Sequence, residues 1–273
     1  MRILFIRHGE SVDNVAGLYA GSRDSPLTAH GALQARRLAS SLAQSVVLTH
    51  VFSSKLQRAA KTAAAFCDAQ NEAHGAGLAV IAVPELCEKH FGSAEGVSFR
   101  SSASDRLAFD DAETAQSMRV RASRFLDEHL VPLPCADAAT DNDMACAIVA
   151  HGIILGALVK VLVERIPRSG VVLPPAPERN GLVMDGSGPI LPSWSNTGYL
   201  EIVVSRQPVS AASGTPKLPL QLHIKRVNCT SHLENIHKTR GGIGSAAYDE
   251  RQRTMDHFFA PASRGHKPRD ATS

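Results

Sequence analysis

Two short apolar runs, far apart in the chain, each end in a histidine followed by a glycine. Ile3, Leu4, Phe5 and Ile6 lead into Arg7, His8 and Gly9, while Ala147, Ile148, Val149 and Ala150 lead into His151 and Gly152. Apolar runs of this length bounded by glycine fit central strands of a parallel sheet. In open α/β sheets ligands bind outside the carboxyl ends of the strands. The two imidazoles are therefore expected to face one crevice.

The rest of the chain reads as strand and helix in alternation. Residues 10–26 form a polar loop, after which Thr28 can cap a helix running through Ala32 to Ala43. Residues 46–54 read as a second strand, and Ser54-Lys55-Leu56-Gln57 matches a capping box opening the next helix, which carries Arg58 early and continues to about Asp68. That places Arg58 at the carboxyl end of its strand, on the side of the two histidines. Residues 78–83 give a third apolar run, and a loop bearing Glu85, Glu88 and Glu95 follows it. A covering helix is expected over residues 113–130, a surface loop over 131–143 and a helix over 153–166. Residues 167–195 hold six prolines and are long for an unstructured connection, which suits a lid or substrate loop. Two late strands, 199–204 and 220–227, form a hairpin or edge pair. The core domain is expected to span residues 1–228, with 229–273 a mostly disordered tail, polar and glycine-containing.

Composition narrows the classes. With 273 residues, 44% hydrophobic and 20% charged, the chain can bury a substantial core, and one domain with extra segments is the default. A net charge of +3 gives no argument for direct nucleic-acid binding. Five scattered cysteines without a C-x-x-C pair read as reduced intracellular thiols. No signal-peptide order opens the chain, and no apolar run approaches the ~18 residues of a membrane span, so a soluble cytoplasmic protein is expected. The twelve histidines show no zinc-ligand spacing, so neither metal nor other cofactor is expected.

Taken singly, Arg7, His8, Arg58, Glu88 and His151 read as solvated strand ends and surface charges. Together they are expected to meet at one sheet edge. The blocks RHGES with Asn14, residues 24–35, residues 53–63, residues 86–96 and Ala150-His151-Gly152, in this order, resemble the histidine phosphatase superfamily, phosphoglycerate mutase-like branch. The likeness covers roughly the first two hundred residues. It implies a three-layer α/β/α sandwich with a mainly parallel sheet, the late strands at its edge.

The resemblance implies that His8 is the nucleophile that becomes phosphohistidine, and that Glu88 is the general acid, with Glu85 and Glu95 as substitutes. It also implies that Ser11, Asn14 and Gly21 lie near phosphate or substrate. The chemistry is consistent with those roles. Imidazole titrates near neutrality, Arg7 and Arg58 offer permanently charged forks for phosphoryl oxygens, and His151, if protonated, adds a third cation. Neighbouring cations would keep His8 neutral. The substrate class is a small phosphorylated metabolite or a phosphoprotein. Mutase-type phosphoryl transfer is the alternative, although the short segment between Gly96 and Met118 argues against it.

A second signal lies in the tail. Gln252, Met255, Phe258 and Phe259 resemble the peptide that docks replication sliding clamps. One helical turn would put Met255 and Phe258 on one face, with Gln252 reaching a separate polar pocket. Such docking would imply a nuclear pool, and it leaves open a binding protein with weak or vestigial catalysis.

Overall fold

Along the first strand, β1 (Arg2–Arg7), the apolar side chains alternate between two cores. Ile3 and Phe5 join one cluster and Leu4 and Ile6 another, all fully buried. The strand β4 (Ala145–Ala150) divides the same way, with Cys146, Ile148 and Ala150 on one face and Ala145, Ala147 and Val149 on the other. A period of two with both faces apolar is what a strand covered by helices on both sides requires.

The computed structural model describes residues 1–99, 109–134, 144–185, 188–206, 220–236 and 243–249. Between β1 and β4 run α1 (Val12–Ala16), α2 (Ala29–Ala43), β2 (His50–Ser53), α3 (Gln57–His74), β3 (Val80–Ala82) and α4 (Ala115–Phe125), the last extended by a π-helical turn to Leu130. After β4 come α5 (Gly152–Glu164), β5 (Val171–Val172), β6 (Val183–Asp185), β7 (Gly188–Ile190), β8 (Tyr199–Arg206) and β9 (Leu220–Cys229). The main sheet has the order β3-β2-β4-β1-β8-β9-β5. Strands β1, β2, β3 and β4 pair in parallel, and β8 joins β1 in antiparallel fashion. Buried residues of α2 and α3 pack on one face, and those of α4 and α5 on the other. The result is the expected three-layer α/β/α arrangement.

Several local expectations change. The polar stretch 10–26 contains α1, a five-residue helix opened by a reciprocal capping box between Ser11 and Asn14. Residues 167–195 are not one open loop but two 3₁₀ turns, the short strand β5 and the hairpin β6–β7. The late pair β8–β9 lies inside the sheet, because β5 pairs outside β9.

The capping box expected at Ser54 does not form. Helix α3 begins at Gln57 without a side-chain cap of its own, and the Gln57 amide donates instead to Asp24 Oδ1 at 2.6 Å. A carboxylate from the loop after β1 thus satisfies an orphan donor of the helix, which leaves Ser54 for other work.

Past residue 228 the chain stays on the domain for a further stretch. The Ala29 amide donates to Ala246 O and the Tyr248 amide to Leu27 O, and the Arg36 guanidinium sits 5.5 Å from the Tyr248 ring centroid. The peptide Gln252, Met255, Phe258 and Phe259 lies outside the described residues.

One close approach fixes the loop after β1 against α2. A Cβ on Gly31 would lie 2.0 Å from the Glu10 carbonyl oxygen, and one on Gly9 would lie 2.4 Å from the Gly31 carbonyl oxygen. Gly31→Ala is therefore expected to cost about 1–3 kcal/mol, as overpacking does. A urea titration beside the wild type measures it, and an unchanged midpoint would show that the contact yields without cost.

Candidate active site

β1 and β4 pair in the register Arg7↔Ala150, and the His8 amide extends the ladder to Ala150 O at 3.0 Å. The residue after each strand end is a histidine, so the two rings meet with centroids 5.0 Å apart and planes 59° apart. Both are buried. His8 Nδ1 lies 2.6 Å from the Gly9 carbonyl oxygen. A carbonyl only accepts, so Nδ1 carries the proton and Nε2 keeps a free lone pair. Burial, then the charges of Arg58 and Arg7, hold His8 well below the usual histidine range, against a smaller opposite pull from the Gly9 carbonyl.

Arg58 lies in the first turn of α3 and is only 1% exposed. Its Nη1 donates to Arg23 O at 2.6 Å and its Nη2 to Gly21 O at 2.7 Å, while Nε has no partner among the described residues. Arg7 donates to the Trp194 carbonyl. Burial lowers the proton affinity of both guanidiniums, and Glu88 offsets part of that in each. Both cations are thus positioned by carbonyl dipoles and not by direct carboxylate pairing.

His151 occupies the N-cap position of α5, and its Nε2 lies 2.9 Å from Ser54 Oγ. Its Nδ1 is buried with no partner among the described residues. Burial, with His8, Arg58, Arg7 and Arg121 adding to it, pushes His151 well below the ordinary value. Ser54 also accepts the Leu56 amide at 3.2 Å. Its hydroxyl orients a site histidine, a use that the sequence pattern assigned to helix capping.

Glu88 lies across the mouth. Its Oε2 accepts the Ile153 amide and its Oε1 the Ile154 amide, each at 3.2 Å, at the start of α5. Glu85 instead faces Arg124 at 3.5 Å. Glu95 accepts the Ser22 and Phe91 amides, holding the loop before Arg58. Of the three carboxylates named from sequence, Glu88 is the one bonded to the helix that starts at His151. Ser11 is fully buried and spends its hydroxyl on capping α1, Asn14 accepts from Asn196 at 3.0 Å, and Gly21 contributes its carbonyl to Arg58.

Three supporting residues carried no sequence signal. Asn196 donates to His8 O at 3.2 Å, Thr62 Oγ1 accepts the Gly9 amide at 3.0 Å, and Trp194 holds Arg7. Each acts through a backbone contact across a long sequence separation.

A mixed sheet with two facing histidines and two inward guanidiniums at its carboxyl edge defines an α/β protein of phosphoglycerate mutase-like fold. The chain belongs to the histidine phosphatase superfamily (branch 1), whose profile matches residues 3–194. Among curated relatives, the probable phosphatase C1620.13 of Schizosaccharomyces pombe is 29% identical over 263 residues, covering 93% of this chain and 78% of the relative. The probable phosphoglycerate mutase GpmB of Serratia proteamaculans is 31% identical over 174 residues, covering 59% and 74%. Mycobacterial glucosyl-3-phosphoglycerate phosphatase in complex with VO3 shares the fold, with a TM-score of 0.59, 21% identity and coverage of 83% of this chain and 98% of that one. Among the described residues no helix is long and apolar enough to cross a membrane.

Two buried neutral histidines make stability pH-dependent. The unfolded chain takes up protons as pH falls through about 6.5, while the folded site resists them. Stability is therefore complete above that pH and is lost below it, by at most about 1.4 kcal/mol per pH unit for each histidine. Urea unfolding from pH 7.5 to 5 should show the loss, and His8→Gln should make it shallower. Equal slopes in the two proteins would remove His8 from the account.

Proposed function

We propose that this protein is a phosphomonoesterase that works through a phosphohistidine on His8. The observation that carries the reading is the 2.6 Å contact of His8 Nδ1 with the Gly9 carbonyl, which leaves the Nε2 lone pair near the charges of the buried Arg58 and the half-buried Arg7. The Nε2 lone pair forms a bond to phosphorus as the ester P–O bond breaks. Arg7 and Arg58 hold the phosphoryl oxygens, and the unpartnered His151 Nδ1 and Arg58 Nε add hydrogen-bonding positions for them.

The leaving oxygen takes its proton from Glu88. Water then attacks the phosphohistidine and gives its proton to Glu88, the P–N bond breaks, and His8 recovers its lone pair. The steps need no metal. A relative that covers 93% of this chain, a probable phosphatase, supports hydrolysis over mutase-type transfer to a second acceptor.

His8→Ala should lower phosphate release by about 10⁴-fold or more, as loss of a nucleophile does. Glu88→Gln should lower it by about 10²–10⁴-fold with alkyl esters. The Glu88→Gln loss should shrink sharply with p-nitrophenyl phosphate, whose leaving group needs no proton. The assay is run with a chelator present. Full turnover by His8→Ala would sink the phosphohistidine, and an equal Glu88→Gln loss for both ester types would remove Glu88 as the acid.

A further inference from the structure

Beside Arg7 the site continues into a groove of about 480 Å³. One wall is α5, where Gly152, Gly156 and Lys160 recur at every fourth residue and so share a face. The opposite wall is the arm after β7, with Leu191 and Trp194. Because the Trp194 carbonyl accepts from Arg7, that wall is tied to a phosphate-site arginine.

The glycines keep the floor open. A Cβ on Gly152 would stand 3.9 Å from Trp194 Cβ and Cδ1, and one on Gly156 would meet nothing within 4 Å. Lys160 is exposed at the far end, eight residues and so about 12 Å along the helix from Gly152, and a helical side chain leans back toward the N-terminus. Glu88 lies at the near end, on the amide of Ile153. A larger cavity of about 570 Å³, walled by Val163, Ile166 and Met184, includes no residue of the site.

We propose that this groove receives the leaving group, and that the substrate is an aryl phosphomonoester bearing an acid group on the side of the ring away from the phosphate. The inference rests on the reading of His8 as the phosphoryl acceptor. With phosphorus at His8, the ester oxygen falls at Glu88 and the organic part runs along the glycine face of α5. At Gly156, where a Cβ would meet nothing within 4 Å, the floor has room for a flat ring, and the indole flanks it on the Gly152 side. Lys160 meets the distal carboxylate.

Trp194 is the only tryptophan in the chain, so its fluorescence reports on the groove directly. In the His8→Ala protein, 4-hydroxybenzoate should quench that fluorescence saturably, and glycerol should not. Lys160→Gln should weaken the quenching by about two- to fivefold, the range of an exposed ion pair. Gly156→Leu fills the floor and improves helix propensity, so it should block the quenching in a protein that melts no lower than its parent.

With the wild type, kcat/KM should rank 4-carboxyphenyl phosphate above phenyl phosphate and both above glycerol phosphate. Gly156→Leu should cut the aryl-to-glycerol ratio by about tenfold or more, the scale of apolar pocket contacts. Absence of quenching, or a ratio that Gly156→Leu leaves unchanged, overturns the groove. Saturable quenching without any wild-type turnover keeps the groove as an aryl-acid site and sinks the phosphohistidine reading instead.

Discussion

The parallel pairing of β1 with β4, in the register that sets Arg7 against Ala150, is the constraint on which the rest of the site depends. Each strand ends one residue before its histidine, so the rings meet because the ladder sets them level. A one-residue slip would turn every apolar side chain of one strand to the wrong core, and a two-residue slip would part the histidines by about 6.6 Å. The division of Ile3 and Phe5 from Leu4 and Ile6 between two cores makes the one-residue slip costly. Packing far from the pocket thus sets a distance inside it.

The pocket's charge follows from burial. Arg58 is almost wholly enclosed and Arg7 half-buried, yet their hydrogen bonds run to carbonyls of Gly21, Arg23 and Trp194. Buried guanidiniums without a bonded carboxylate raise the energy of the ligand-free state. The histidines are the groups that yield, and both stay neutral. An arriving dianion relieves the repulsion among the cations and restores proton affinity to His151.

Much of the architecture was legible because it depends on short-range pattern. The run before His8, the run before His151 and the Thr28 cap of α2 each announce their element within a few residues. What the sequence concealed were contacts between segments far apart. Ser54 fits a capping box in the sequence, yet Asp24 supplies the cap from the loop after β1 and frees Ser54 for His151. Asn196 and Trp194 reach the site through backbone bonds across more than 180 residues, and no local periodicity encodes such bonds. The lone-pair assignment at His8 likewise needed the Gly9 carbonyl in three dimensions.

The paired glycines at positions 9 and 31 put bare backbone against bare backbone between the histidine loop and the first turn of α2. Side chains usually form a compressible layer between two such segments, taking up small displacements by changing rotamer. Here that cushion is missing. The His8 loop and α2 therefore meet backbone to backbone, and α2 is a lever on that loop. The outer end of that lever is where residues 246–248 fasten onto Leu27 and Ala29.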